Sequence, residues 1–302
     1  MTNQPAIQMR PWALEPFWQR KSRIQAWSWA RRSGKSFTMG ARGLDENLSV
    51  SGNLNTYLSA SVKIGGEFLK KEALVWQILI DAYRRALSES GGKLTSSIDG
   101  LGIDDVYDVF EQQKLECKIW HTNTIYSRSI VVAANPDTAV GYGANLFIDE
   151  FGRIRDFQAV WEAVQPFMTE NPKLFAILAS TPPPDDAHFS YEMTAPPPGT
   201  EFKTNPKGNW YESEMGFPVH RVTADDRYAA GYPLYHPITG EAISPEEDRA
   251  LSHDKTAWDR NNRCQYTRGG TSAVSLMALT YAMEAGKDLG IAIDITEPLS
   301  LS

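Results

Sequence analysis

Ala30 to Ser36 read A-R-R-S-G-K-S, and Leu146 to Glu150, more than a hundred residues later, read L-F-I-D-E. Each segment carries half of a phosphoryl-transfer chemistry. A glycine turn that opens a helix aims backbone N–H groups at phosphate oxygens, a lysine reaches the terminal phosphates, and a hydroxyl ligates magnesium. Gly34, Lys35 and Ser36 occupy the last three places of the G-x-x-x-x-G-K-[ST] pattern, while Trp29 stands where its first glycine belongs. An apolar strand ending in two carboxylates supplies the other half: Asp149 to hold Mg²⁺ and Glu150 to polarise the attacking water. Alone, Gly-Lys-Ser is more often a solvent-exposed turn before a helix, and strands commonly end in charged turns. Both segments in this order point instead to Mg²⁺-dependent ATP hydrolysis. Ala179-Ser180-Thr181-Pro182 adds small hydroxyls that either sense the γ-phosphate from a neighbouring strand or form an ordinary turn.

Groups of this kind need strands that end together and helices that begin there. Ile24 to Trp29 reads as a short strand running into the turn, and the chain from Lys35 onward as a helix. Asn55 to Ser61 is a second strand. The long helix after it places Leu69, Trp76, Leu79, Ile80, Tyr83 and Leu87 near helical spacing and ends at Gly91-Gly92. Ser96 to Asp108 is polar and acidic, as a surface loop would be. Leu115 to Trp120 and Ser129 to Ala133 read as a hairpin-like pair. Leu146 to Asp149 and Leu174 to Ala179 are buried strands, with a helix from Phe157 to Met168 between them. Strands alternating with helices predict an α/β fold with a central, mostly parallel sheet flanked by helices.

After Ser180 the prolines at 182–184 and 196–198 frame loops extending to about Phe217, and Val219 to Thr223 reads as a last core strand. Thr256 to Tyr266 and Val274 to Ala285 follow as helices, and Gly290 to Ile295 as a fresh strand.

Composition narrows the function classes. The net charge of −7 argues against a general coat of nucleic-acid contacts. The positive charge is concentrated at the start: residues 1–44 hold eight Lys and Arg against the single acid Glu15. That is where a polyphosphate would sit. Cys117 and Cys264 lack ligand spacing and read as reduced, structural thiols. The five histidines have no metal-ligand spacing either. No apolar run reaches membrane-spanning length and no signal-peptide core is present, so the expected location is the cytoplasm.

These residues resemble the large terminase subunit of tailed bacteriophages, the ATP-driven DNA packaging motor, most closely its Mu-like kind. The likeness lies in an arginine-bearing Walker A loop without its first glycine (Arg31-Arg32-Ser33-Gly34-Lys35-Ser36), the stretch from Ala134 to Tyr142, the Walker B strand Phe147-Ile148-Asp149-Glu150-Phe151, and Ser180-Thr181-Pro182. Val219 to Asp226, Thr256-Ala257-Trp258 and Cys264-Gln265-Tyr266 extend it over about residues 14 to 270. Val140 departs from it, since many relatives carry arginine there.

The resemblance implies a P-loop NTPase fold with a small lid subdomain built from the N-terminal stretch and the helices after residue 250. It assigns ATP to Arg32, Ser33, Gly34, Lys35, Ser36 and Phe37, Mg²⁺ to Ser36 and Asp149, and the water to Glu150. Arg31, with Arg32 as its alternative, would stabilise the transferring phosphate. Gln19 would read adenine, and Ser180 with Thr181 would couple product state to motion. The implied partners are double-stranded DNA, a portal protein and a small terminase subunit, with a homo-oligomeric ring on the portal and no membrane.

Residues 1–270 would be the motor domain. Residues 271–302 would be a linker helix and the first strand of an RNase H-like nuclease, with Asp294 in the place of its first metal ligand. One carboxylate cannot assemble a two-metal site, so no nuclease activity is expected of this chain. The competing readings are a helicase-like ATPase, a nucleotide kinase and a degenerate, non-catalytic terminase fragment.

Overall fold

A computed structural model of the chain describes residues 7–59, 62–89, 110–112, 115–139 and 143–268, with isolated positions between 282 and 290. Helix α1 (Pro11–Trp18) precedes β1 (Ile24–Trp29), which runs through the loop into α2 (Lys35–Ser49). Next come β2 (Leu54–Ser59), α3 (Val62–Glu89), β3 (Phe110–Gln112), β4 (Glu116–Trp120), β5 (Tyr126–Ala133) and the single-turn α4 (Pro136–Ala139). β6 (Asn145–Asp149) is followed by α5 (Phe157–Val164), α6 (Pro166–Glu170) and β7 (Ala176–Ser180). After α7 (Ser190–Thr194), β8 (Asn209–Glu212), β9 (Pro218–Val222) and α8 (Ala224–Ala229) stand the two-stranded hairpin β10 (Leu234–Tyr235) and β11 (Ala242–Ile243), α9 (Pro245–Leu251) and α10 (Lys255–Arg263).

The main sheet has the order β3-β4-β5-β2-β6-β7-β1-β9-β8. Its middle, from β5 to β9, is parallel, and β3, β4 and β8 are antiparallel additions at the edges. Strands buried on both faces need apolar residues throughout, and β6 and β7 are buried at every position. Alternation sorts their side chains into two cores. On one face Ala26, Ile148, Leu178 and Val219 pack against Phe157, Val160 and Trp161 of α5. On the other, Trp27, Trp29, Phe147 and Ile177 pack against Trp12 of α1, Met39 of α2 and Phe68 of α3. The parallel strands share one direction, so the C-terminal ends of β1, β6, β7 and β9 open on the same edge, where ligands of such sheets bind.

The fold class is as expected, and several boundaries differ. Pro166 lacks an N–H to continue a helix, so the single helix expected from Phe157 to Met168 ends at Val164, and a second begins with that proline at its first turn. The stretch expected to be loops as far as Phe217 contains α7 and β8. β8 pairs antiparallel with β9 from Asn209↔Arg221 to Glu212↔Pro218, so β9 is not the outermost strand. The helix expected to reach Tyr266 stops at Arg263, because Cys264 turns left-handed at φ 49°. Gly91-Gly92, Ser96 to Asp108, Val140 to Tyr142, most of the expected helix from Val274, and the strand carrying Asp294 lie outside the described residues. Among the described residues no helix is long and apolar enough to cross a membrane.

A polar cluster lies between α2, α3, β2 and β5. Glu72 of α3 is fully buried and accepts from Tyr57 Oη (2.6 Å) and Ser129 Oγ (2.7 Å) on one oxygen. Its other oxygen, Oε2, is buried with no hydrogen-bond partner. Burial pushes this carboxyl from 4.5 up to about 7, and the two hydrogen bonds only partly offset the shift. The folded chain therefore holds this proton more tightly than the unfolded chain does, and stability falls as pH rises from the unfolded value through the folded one. Glu72→Gln should flatten that fall and stabilise the protein at about pH 8 by on the order of 2 kcal/mol. Urea unfolding across this range measures it. Asp149, raised in the same direction, leaves a residual slope in the variant.

Candidate nucleotide-binding site

β1 delivers the chain to a loop whose backbone is left-handed at Arg32 (φ 59°) and Gly34 (φ 88°). Glycine at 34 takes this conformation without a steric cost and caps α2, whose first N–H groups then face the loop's interior. Arg32 is strained there by about 1 kcal/mol, the kind of strain that functional loops retain. Lys35 is 6% exposed, and its Nζ donates to Trp29 O (3.0 Å) and Ala30 O (3.4 Å). Trp29 stays in strand conformation, so its position needs no glycine. Its ring turns into the core, stacks on Trp27 at 4.8 Å and donates from Nε1 to His220 Nδ1 (3.0 Å). Burial lowers His220 to about 3, which keeps the ring neutral, with Nε2 placed to donate to Lys207 O (3.0 Å). Only the Trp29 carbonyl serves the loop.

β7 separates β1 from β6, so Asp149 meets the loop across one intervening strand. Ser36 Oγ donates to Asp149 Oδ2 at 3.3 Å, and Asp149 Oδ1 is buried without a hydrogen-bond partner. Burial first, then the adjacent Glu150, push the Asp149 carboxyl up to about 7 against the pull of Lys35 and two hydrogen bonds. Glu150 is left-handed at φ 51°, and its N–H donates to Ala179 O (2.7 Å). That turn brings Oε1 to 3.8 Å from Lys35 Nζ and Oε2 to 3.4 Å from Arg153 Nε. Ser180, buried on β7 opposite Ser28 of β1, accepts from Gly152 N (3.2 Å). Ser180 thereby ties β7, the strand between β6 and β1, to the turn that follows Glu150. Thr181 is buried beside it.

The structure brings Ser33, Gly34, Lys35, Ser36, Asp149, Glu150 and Ser180 to one place. Phe37 is half-buried and packs with Leu44 and Trp76. The side chains of Arg31 and Arg32 are exposed at the loop's rim. Gln19, expected to read adenine, lies at the end of α1 opposite the Arg10 and Trp12 loop contacts, and its side chain accepts from Lys21 N (2.6 Å). Its neighbour Arg20 pairs with Asp45 (3.1 Å) and Glu46 (3.5 Å), near the end of α2. At about 1.5 Å per residue, that is roughly 15 Å from the loop.

Four clamps on the loop's backbone have no counterpart in the motifs. Arg227 Nη1 donates to Arg31 O (2.8 Å), Arg10 Nη1 to Arg32 O (3.2 Å) and Trp12 Nε1 to Ser33 O (2.9 Å), while Arg31 N donates to Asn261 O (3.0 Å). Arg227 is 7% exposed. Burial, with Arg10 and Arg32 close by, lowers it to about 10, so it remains cationic at neutral pH. The Thr223–Asp226 capping box that seats α8 was legible as a local signal, whereas the contact of Arg227 with Arg31 was not.

The site suits a hard divalent cation. Its oxygens come from a hydroxyl and a carboxylate, and the free buried Asp149 Oδ1 lacks the partner that such an atom requires.

No family model matches the sequence, and no curated protein matches it. Solved structures do. The ATPase domain of the large terminase of Thermus phage P74-26 aligns with a TM-score of 0.52 and 14% identity, over 85% of this chain and 93% of that one. A mutant of the same domain aligns at 0.50 and 14% identity, over 82% and 90%. The large terminase of a thermophilic bacteriophage, in complex with ADP, aligns at 0.46 and 10% identity, over 86% of this chain and 54% of that one. The chain thus has the fold of a phage large terminase ATPase domain.

Proposed function

We propose that this chain is the ATP-hydrolysing motor of a phage large terminase and drives double-stranded DNA into a procapsid. The hydrogen bond between Ser36 and Asp149, with Asp149 Oδ1 left free beside it, carries the reading: the loop and the acidic strand meet as a nucleotide–metal site requires. Lys35 and the backbone N–H groups of Arg32, Ser33, Gly34 and Ser36 hold the phosphates, with Phe37 following them on α2. Ser36 and Asp149 would hold Mg²⁺, which would neutralise charge on the phosphate oxygens. Glu150 orients the water and accepts its proton, and Arg31 or Arg32 reaches the transferring phosphate from the rim. Ser180, through its bond to Gly152, and Thr181 relay the product state to the sheet.

Residues 1–270 form the motor, and residues 271–302 form a linker helix and a strand like the first of an RNase H-like nuclease domain. The partners are a portal protein, a small terminase subunit and further copies of this chain in a ring, in the host cytoplasm.

Lys35→Ala tests the nucleotide site. Removing charged hydrogen bonds to phosphate should weaken ATP affinity about a hundredfold. Isothermal titration reads the change, and unaltered ATP binding in the variant would refute the proposal.

A further inference from the structure

The roles above leave the nucleoside end of the ligand without a partner. Asp149 and Glu150 stand on the β6 side of the loop, so the terminal phosphate belongs there. A polyphosphate lying along the loop then carries its nucleoside to the opposite flank. On that flank β9 pairs with β1, Val222 beside Trp29, and α8 begins.

An aromatic and guanidinium cluster occupies this flank. The Arg10 guanidinium carbon lies 5.1 Å from the ring centre of Tyr232 and 5.5 Å from that of Trp12. The two rings meet edge to face at 5.1 Å and 76°. Trp12 is buried, whereas Arg10 and Tyr232 are half-buried and can offer a face. Both sides of the cluster are tied to the loop, through Arg10 to Arg32 O and Trp12 to Ser33 O. The aliphatic part of Arg10 also approaches Gly34, coming to 3.8 Å from where a Cβ there would stand.

Tyr232 is held by the end of α8. Gly231, left-handed at φ 84°, donates to Tyr228 O (2.9 Å), and Tyr232 N donates to Arg227 O (2.9 Å). These paired bonds turn the chain sharply back and fix the ring's place. The same flank is electropositive: Arg227 keeps its charge there although burial, with Arg10 and Arg32 beside it, lowers its pKa, and its Nε is buried without a hydrogen-bond partner.

We infer that the Arg10 guanidinium and the Tyr232 ring form the platform on which the nucleobase of a bound nucleoside triphosphate stacks. Planar cations and phenol rings both take a base by its face. The inference rests on the loop being a nucleotide site, and the experiment separates the two claims. ATP and inorganic tripolyphosphate are titrated into the full chain and into Tyr232→Ala, Tyr232→Phe and Lys35→Ala. Tyr232→Ala should lose about tenfold in ATP affinity with tripolyphosphate unchanged, and Tyr232→Phe should restore ATP binding. Lys35→Ala should weaken both ligands.

If Tyr232→Ala binds ATP as the parent does while Lys35→Ala loses both ligands, the platform is wrong and the nucleotide site stands. If Tyr232→Ala weakens both ligands equally, the ring merely supports the loop and the platform is again wrong. If Lys35→Ala changes neither ligand, the nucleotide site and the platform fall together.

Discussion

Glu150→Gln should slow ATP hydrolysis by a factor of about 10² to 10⁴ and leave ATP affinity within a few-fold of the parent. Glutamine has nearly the shape of glutamate and can occupy the same left-handed position after β6, so the turn and its bond to Ala179 O persist. It cannot accept a proton from water. Glu150 sits 3.8 Å from Lys35 Nζ and 3.4 Å from Arg153 Nε, within reach of a water beside the proposed phosphate site and outside the set of proposed loop donors. Single-turnover hydrolysis beside equilibrium titration separates the two effects. Parent-like turnover in the variant would remove Glu150 from the chemistry. A parallel loss of binding would make it a structural partner of Lys35.

Trp29→Gly, which would restore the strict phosphate-loop pattern, should destabilise the fold by about 4 kcal/mol or more and bring no gain in ATP affinity. The Trp29 ring is fully buried, stacks on Trp27 and satisfies His220 Nδ1. Removing it opens a cavity under the sheet and leaves a buried acceptor unpaired, and glycine at the end of β1 adds an entropic cost. Against the 5 to 15 kcal/mol typical of a domain, roughly 4 kcal/mol is enough to unfold much of the population at moderate denaturant. Binding should not improve, because the loop takes its left-handed residues at Arg32 and Gly34 and uses only the carbonyl of Trp29. Urea midpoints measure the first effect and ATP titration the second. Trp29→Phe, which keeps a ring and loses only the donor, should fall between the two.

Local information carried far in this chain. Gly34, Lys35 and Ser36 could suggest a phosphate loop because the backbone conformation and the chemistry it would need sit within three adjacent residues. Asp149 and Glu150 were legible because a fully buried strand must be apolar up to the point where it emerges at the edge. Pro166 was an equally local signal and should have divided the helix at 157–168. β8 gave little warning: four residues at a sheet edge show no period and borrow their conformation from β9.

The sequence by itself determined the chemical kit, the strand–helix alternation and the concentration of positive charge near the loop, all properties of neighbouring residues. Only the tertiary structure decided where distant residues meet. It placed β7 between β1 and β6, so that Ser36 reaches Asp149 across 113 positions of chain. It set Gln19 at the far end of α1 and brought Arg10, Trp12 and Tyr232 together on the loop's flank. It also set Arg227 against Arg31 O, 196 positions away. Periodicity and turn chemistry act over a few residues, whereas these contacts exist only once packing has chosen the strand order.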